Sequence, residues 1–311
     1  MQQITTQKLW SESWFPEKIK NNQVYWKMMG DKRFTEPFYE DTMGCVDTDE
    51  RSRMQTSLDI FEKLPPKPAE VLKPSAFIFH VSRCGSTLLA QMLSAISENL
   101  VISEAPVIDQ LLKSNLSEKV KNNYLKNLVA WLCRKRFGNQ KHAFLKMDAW
   151  HLLHMDRFRK VFPEASFIAM YRNPKEVLQS HHRKRGQHMI PGFFEESIMP
   201  IEARDYANMD QHAGKVLQKY MQSISEWDKE IPLTMLNYSS IQERFWAVFT
   251  KKVAVSWTTG HKEKMLSRAR YYSKNKRRVF EGDRPECSNF MCPKNIEELQ
   301  VLYRKLKAST A

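Results

Sequence analysis

At 311 residues, 42% of them hydrophobic and 11% aromatic, the chain carries enough apolar material for a sizeable core, which excludes an intrinsically disordered protein. Its 49 basic and 35 acidic side chains leave a formal charge of +14, which favours an anionic partner without choosing among nucleotide, nucleic acid and membrane surface. No apolar run approaches the roughly 18 residues of a membrane span, and MQQITTQKLWSESWF lacks the basic-then-apolar order of a secretory signal, so a soluble, cytoplasmic protein is expected.

Residues 1–73 are rich in Trp, Phe and Pro and end in LPPKPAEVLKP, whose prolines rule out a continuous helix and mark a boundary. This N-terminal extension is expected to cover the core or to form part of an acceptor pocket. From residue 74 to 311 apolar strands alternate with helical segments, the pattern of βαβ units on a parallel sheet. Strands are predicted at 76–81, 100–103, 143–147, 166–171 and 233–238. Between them Leu88, Leu89, Met92, Leu93 and Ile96 share one helical face, as do Val120, Tyr124, Leu128 and Leu132. The fold class this predicts is α/β: a three-layer, P-loop-like fold with a central, mostly parallel sheet flanked by helices. There is no internal repeat. The five cysteines (Cys45, Cys84, Cys133, Cys287, Cys292) are scattered and odd in number, so reduced thiols are expected rather than a disulfide framework or a paired zinc site.

The segment AFIFHVSRCGSTLLAQML, residues 76–93, ends a strand at Val81, turns through Ser82, Arg83, Cys84 and Gly85, and opens a helix with Ser86 and Thr87. Backbone N–H groups and hydroxyls that converge in this way make an anion site. A triphosphatase loop would read GxxxxGK[ST], whereas His80 stands at the first Gly and Ser86 at the Lys. Arg83 supplies the cation from inside the turn. The exchange favours a transferred group with less charge than a γ-phosphate and no magnesium role, conditions that sulfuryl transfer meets. In a second segment, FIAMYRNPKEVLQS, residues 167–180, Arg172 sits at the carboxyl end of a strand, Pro174 starts a helix, and Ser180 lies about two turns in. Arg172 offers a fork for phosphate and Ser180 a hydroxyl.

SRCGSTLL at 82–89 resembles the 5′-phosphosulfate loop of the sulfotransferase family, and YRNPKEVLQS at 171–180 resembles its 3′-phosphate motif. The loop style is most similar to bacterial and tyrosylprotein-type sulfotransferases, and the likeness spans residues 76 to about 280. The resemblance implies a P-loop-like parallel sheet and 3′-phosphoadenosine 5′-phosphosulfate as co-substrate, with in-line transfer to an acceptor hydroxyl or amine and no metal. It implies that Arg83 neutralises the leaving oxygen and that Gly85, Ser86 and Thr87, with Ser82 and Cys84 completing the loop, hold the 5′-phosphate. Arg172 and Ser180 would hold the 3′-phosphate. The family more often has Lys in the loop, and an Arg there is a poor proton donor because its pKa stays above about 12.

For the base that takes the acceptor proton, Glu104 in ISEAPVID comes first, at the position of the tyrosylprotein-type carboxylate. FLKMDAWH at 144–151 comes second: Asp148 falls where cytosolic members carry His, and His151 lies three residues on. The plain alternatives are a helix-entry carboxylate for Glu104 and an N-cap for Asp148. In the basic run MLSRARYYSKNKRRVFEGD, residues 265–283, Lys274 and Arg278 are expected 3′-phosphate contacts, a solvated face being the ordinary reading of such runs. HLLH at 151–154 lacks a HExxH pattern and Cys84 lacks the C-x5-R of a phosphatase loop, so neither is read as a site. Competing functions are a sulfotransferase-like nucleotide-binding protein without transfer activity, a P-loop kinase, or a nucleic-acid-binding protein. Nucleic acid is the less favoured partner beside a small-molecule, peptide or glycan acceptor, whose identity no residue discloses.

Overall fold

Buried parallel strands read as near-continuous apolar runs, and PSAFIFH, NLVIS, HAFLK, SFIAMY and LTMLN fit that rule. A computed structural model, which describes residues 9, 12–46, 52–230, 233–280, 290 and 292–308, forms them into strands β4 (Pro74–His80), β5 (Asn99–Ser103), β6 (His142–Lys146), β7 (Ser166–Tyr171) and β8 (Leu233–Asn237). All neighbouring pairs are parallel, in the order β5-β6-β4-β7-β8. The fold is α/β, with helices flanking a five-stranded parallel sheet. Predicted and observed strands differ by one or two residues at their ends, where the pairing stops and the functional loops begin. The predicted helical faces are buried: Leu89, Met92 and Leu93 on Ser86–Ser94, and Tyr124, Leu128 and Leu132 on Glu118–Leu132.

Ahead of this core lies a three-stranded antiparallel sheet that the aromatic content of residues 1–73 did not disclose. Its strands β1 (Trp14–Lys20), β2 (Gln23–Met28) and β3 (Arg53–Ser57) run in sequence order. Asn21 and Asn22 make a two-residue turn with φ of 52° and 57°, the left-handed pair that a tight hairpin requires and that Asn tolerates best after Gly. The sheet shares the main core. Trp26 is fully buried, 4.9 Å from the Trp131 ring in an edge-on contact, and its indole N–H donates to Thr56 Oγ1 at 2.9 Å. The segment 64–74, read as a non-helical boundary, holds one short 3-10 turn at Pro68–Glu70 and runs into β4.

β4 lies at the centre, with β6 on one side and β7 on the other; the connection after β4 runs to β5 on one side and the connection after β7 runs to β8 on the other, which opens a crevice between their carboxyl ends, the usual ligand position in open parallel sheets. Because the two sheets share one core, Trp26→Ala should cost about 3–5 kcal/mol, lowering the whole denaturation curve in a single transition followed by tryptophan fluorescence. A separate early transition for the N-terminal sheet would contradict this.

Candidate active site

The loop after β4 turns because its backbone turns left-handed repeatedly: φ is +68° at Ser82, +50° at Arg83 and +83° at Gly85. Successive residues of this kind curl their N–H groups inward, and the helix Ser86–Ser94 begins at once with its own free N–H groups aimed the same way. The first turn is held by His80, whose Nδ1 accepts from the Ser82 amide at 3.0 Å. Gly85 is required on two counts, its positive φ and a Cβ position only 2.5 Å from the Tyr238 ring. Tyr238, just past β8, also lies under the Arg172 guanidinium, 4.2 Å from its ring centroid. One aromatic ring therefore packs against both sequence motifs.

The two motifs open into one cavity of about 550 Å³ at the carboxyl ends of the strands. Of the residues singled out in the sequence, Ser82, Arg83, Gly85, Ser86, Thr87, Glu104, Asp148, Arg172, Ser180 and Lys274 line it. Three do not. The Cys84 side chain points into the core, where Sγ donates to the Met170 carbonyl and burial pushes the thiol up to about 11. His151 is buried behind Asp148, and Arg278 lies outside the lining, its guanidinium 5.8 Å from the Tyr272 ring. Phe38, Glu40 and Asp41 bring the N-terminal region to the cavity wall.

The charges divide into paired and unpaired. Glu104 has a left-handed backbone, φ +53°, a conformation that costs a non-glycine residue about 1 kcal/mol or more. It is held by its amide, which donates to the Lys146 carbonyl at 2.7 Å, and by its carboxylate, which accepts from Lys146 Nζ and lies 3.3 Å from His80 Nε2. Burial works against the Glu104 charge, but Lys146 and then His80 overcome it and hold the carboxyl well below the usual range. The pKa of His80 is itself lowered, first by burial and then by Lys146, against the pull of Glu104. Asp148 is the opposite case: burial, with a smaller push from Glu104, raises it to about 7 against the opposing pull of His151. It does act as an N-cap, for Ala149–His154, and its amide donates to His151 Nδ1 at 3.3 Å. Asp109, brought in beside it, accepts from Trp150 Nε1 at 2.6 Å and pairs with Lys113 at 2.9 Å.

Arg172 is paired with Glu176, in the first turn of the helix Pro174–Arg183 that follows it. Arg83 and Lys274 are different, for among the described residues neither has a carboxylate partner. Arg83 Nη2 donates to the Lys184 carbonyl at 2.6 Å. Burial lowers the pKa of both, that of Lys274 to about 8, and Arg83 lowers Lys274 further by its own charge. Lys274 belongs to the loop that follows the helix Thr259–Ala269 and lies over the cavity with Tyr271, Tyr272 and Phe280. Among the described residues no group of three or more His, Cys, Asp or Glu is placed to hold a metal ion, and no helix is long and apolar enough to cross a membrane.

Sequence reasoning missed His80, Lys146, Asp109, Tyr238 and Phe38. Lys146 had a signal, since a lysine closing an otherwise apolar buried strand needs a partner. His80 had one too, at the first position of the loop. Tyr238 and Phe38 had none, because they meet the loop only through tertiary packing.

No family model matches the chain, and no curated protein sequence matches it. Solved structures of similar fold include sulfotransferase STF9 from Mycobacterium avium, 14% identical over 80% of this chain and 78% of that chain, with a TM-score of 0.47. Sulfotransferase STF1 from Mycobacterium tuberculosis H37Rv is 9% identical over 67% of this chain and 74% of its own, with a TM-score of 0.46. Mouse sulfotransferase SULT7A1 complexed with PAP is 13% identical over 82% and 93%, with a TM-score of 0.43. The likeness is one of chain course, and no residue role is taken from it.

The Glu104–Lys146 contact is a buried pair, so removing one partner strands the other charge. Lys146→Met should destabilise the protein by about 3–5 kcal/mol, and adding Glu104→Gln should recover most of the loss. Denaturant melts of both variants check this; equal melts for the single and double variants would show that the pair is not coupled.

Proposed function

We propose that the protein is a sulfotransferase that takes 3′-phosphoadenosine 5′-phosphosulfate as donor and delivers the sulfuryl group to a hydroxyl or amine of an acceptor. The observation that carries this reading is the presence in one cavity of two cations that have no carboxylate partner among the described residues, half-buried Arg83 and, at the exposed rim, Lys274. Like charges gathered at one cavity without counter-charge repel one another, and an anionic ligand relieves the cost. The N–H groups of the 82–87 loop and the Ser86 and Thr87 hydroxyls suit the 5′-phosphate. Arg172, held flat by Tyr238 and steadied by Glu176, suits the 3′-phosphate together with Ser180. Arg83 stays a cation and acts by charge on the leaving oxygen, because a guanidinium is a poor proton donor at neutral pH.

Glu104 is assigned as the base. A base has to be ionised and reachable, and Glu104 is held ionised with 23% of its side chain exposed, against 9% for the half-protonated Asp148. Its low basicity is a cost imposed by Lys146, and it falls as that ammonium turns to an incoming anion. The acceptor O–H or N–H proton passes to the Glu104 carboxylate, a bond from the acceptor atom to sulfur forms, and the sulfur–oxygen bond of the phosphosulfate breaks with its electron pair leaving on the 5′-phosphate. Asp148, His151 and the N-cap they share set the floor beneath this site.

Calorimetric titration with 3′-phosphoadenosine 5′-phosphate tests the donor site. Arg172→Ala should weaken binding by about 2–3 kcal/mol, the scale of a lost charge-assisted contact, while Arg83→Ala should depress turnover far more than affinity. Binding of ATP in preference, with magnesium-dependent phosphate release that survives Arg83→Ala, would replace this reading with a nucleotide hydrolase. Binding without sulfuryl transfer to any acceptor in a mass-spectrometric screen would leave a nucleotide-binding protein.

The base is separated by variant and by pH. Glu104→Gln should lower turnover by about 10² to 10⁴ with little change in affinity, and Asp148→Asn should do much less. Because Glu104 is shifted down, it stays ionised as pH falls, so kcat should be nearly flat from pH 8 to about 5. If Asp148 were the base, half the rate would be gone near pH 7, where that carboxyl takes up its proton.

A further inference from the structure

Phe38 stands in the N-terminal region, one residue before the helix Tyr39–Gly44, yet two ammonium groups from the opposite side of the cavity gather on its ring. Lys146 Nζ lies 5.2 Å from the ring centroid and Lys274 Nζ 5.1 Å. The surrounding stretch ties down the loop that carries Lys274. Lys276 Nζ donates to Glu36 Oε1 at 3.0 Å; Gln91 donates to the Thr35 carbonyl at 3.0 Å and accepts from Arg268 Nη2 at 2.7 Å. Arg268 in turn donates to the Ser273 carbonyl at 3.1 Å. A ring present only to fill space has no reason to collect two cations, whereas an aromatic face attracts them by its quadrupole, and more strongly where water is excluded.

We propose that Phe38 is a positioning residue of the donor site: its ring holds Lys274 over the cavity and keeps Lys146 against Glu104, so that the N-terminal region builds one half of the cationic clamp. The ligand of the clamp rests on the reading under Proposed function, but the clamp's geometry does not. Lys274 is the sensitive reporter. Burial, then the like charge of Arg83 from the loop after β4, Lys146 from β6 and Lys184 after Pro174–Arg183 all lower its pKa, and Glu104 after β5 opposes them, leaving it at about 8. The Phe38 ring supplies both part of that burial and an attraction for the charged form.

Competitive lysine labelling of the ligand-free protein, read by peptide mass spectrometry across pH, follows Lys274 directly. It should half-titrate near pH 8 in the wild type. In Phe38→Ala the apolar shield on one side of the ammonium is lost, and the midpoint should rise toward the ordinary lysine value of about 10. In Phe38→Leu, which keeps apolar bulk without the quadrupole, the midpoint should remain at or below that of the wild type. 3′-Phosphoadenosine 5′-phosphate affinity at neutral pH should fall on the order of 10-fold in Phe38→Leu. Glu36→Gln, which loosens the loop without touching Lys274, should leave the midpoint in place. An unchanged midpoint in Phe38→Ala overturns the proposal; should that variant fail to fold, wild-type affinity in Phe38→Leu overturns it instead. A wild type that does not bind the nucleotide at all defeats the donor reading while the labelling result for Phe38 still stands.

Discussion

Parallel strands cannot be joined by tight turns, so each connection must cross a face of the sheet, and the direction of those crossings decides where a ligand fits. In this chain the decisive strand is β4. With β6 and β7 as its two neighbours, the backbone leaves its carboxyl end bounded on either side by loops that separate rather than cover it. The 82–87 loop after β4, Glu104 after β5, Lys146 at the end of β6 and Arg172 after β7 are brought to one place by the sheet order. No local propensity would do so, since these residues lie 20 to 90 positions apart in sequence.

Within that crevice charge is distributed unequally. The Glu104–Lys146 pair is nearly self-sufficient: each group compensates the other, and the strained backbone at Glu104 is held by the carbonyl of the same lysine. Arg83 and Lys274 have no such compensation among the described residues, and the charge of Arg83 lowers the pKa of Lys274 further. The packing of the fold thus gathers like charges at one cavity and meets the cost of doing so. Two neighbouring carboxyls, Glu104 and Asp148, end up on opposite sides of their ordinary range because one faces an ammonium and the other faces burial.

The N-terminal region changes character in this light. Its hairpin is anchored by Trp26 against Trp131 and by a tight Asn21-Asn22 turn, which makes it a rigid support. From that support residues 34–41 reach the cavity, and Phe38 meets cations contributed by β6 and by the loop near residue 274. A segment expected to cover the core or to form part of an acceptor pocket lines the cavity through Phe38, Glu40 and Asp41.

The sequence by itself determined the strands of the parallel sheet, because continuous apolar runs bounded by turn residues have few other solutions. It also determined the turn after β4, because SRCGST combines a glycine able to turn left-handed with hydroxyls at a helix start, and the Arg-Asn-Pro helix entry, because Pro174 and Asn173 are strong local signals. Tertiary structure alone decided which charges are paired. Whether Glu104 is ionised depends on Lys146 lying against it across two strands, and whether Asp148 is half-protonated depends on burial, neither of which has a sequence period. The same holds for Tyr238 and Phe38: an aromatic ring acts on whatever surrounds it, and its neighbours here come from segments far away in the chain. It holds too for Cys84, which the loop motif carries along but whose side chain the strand twist turns into the core.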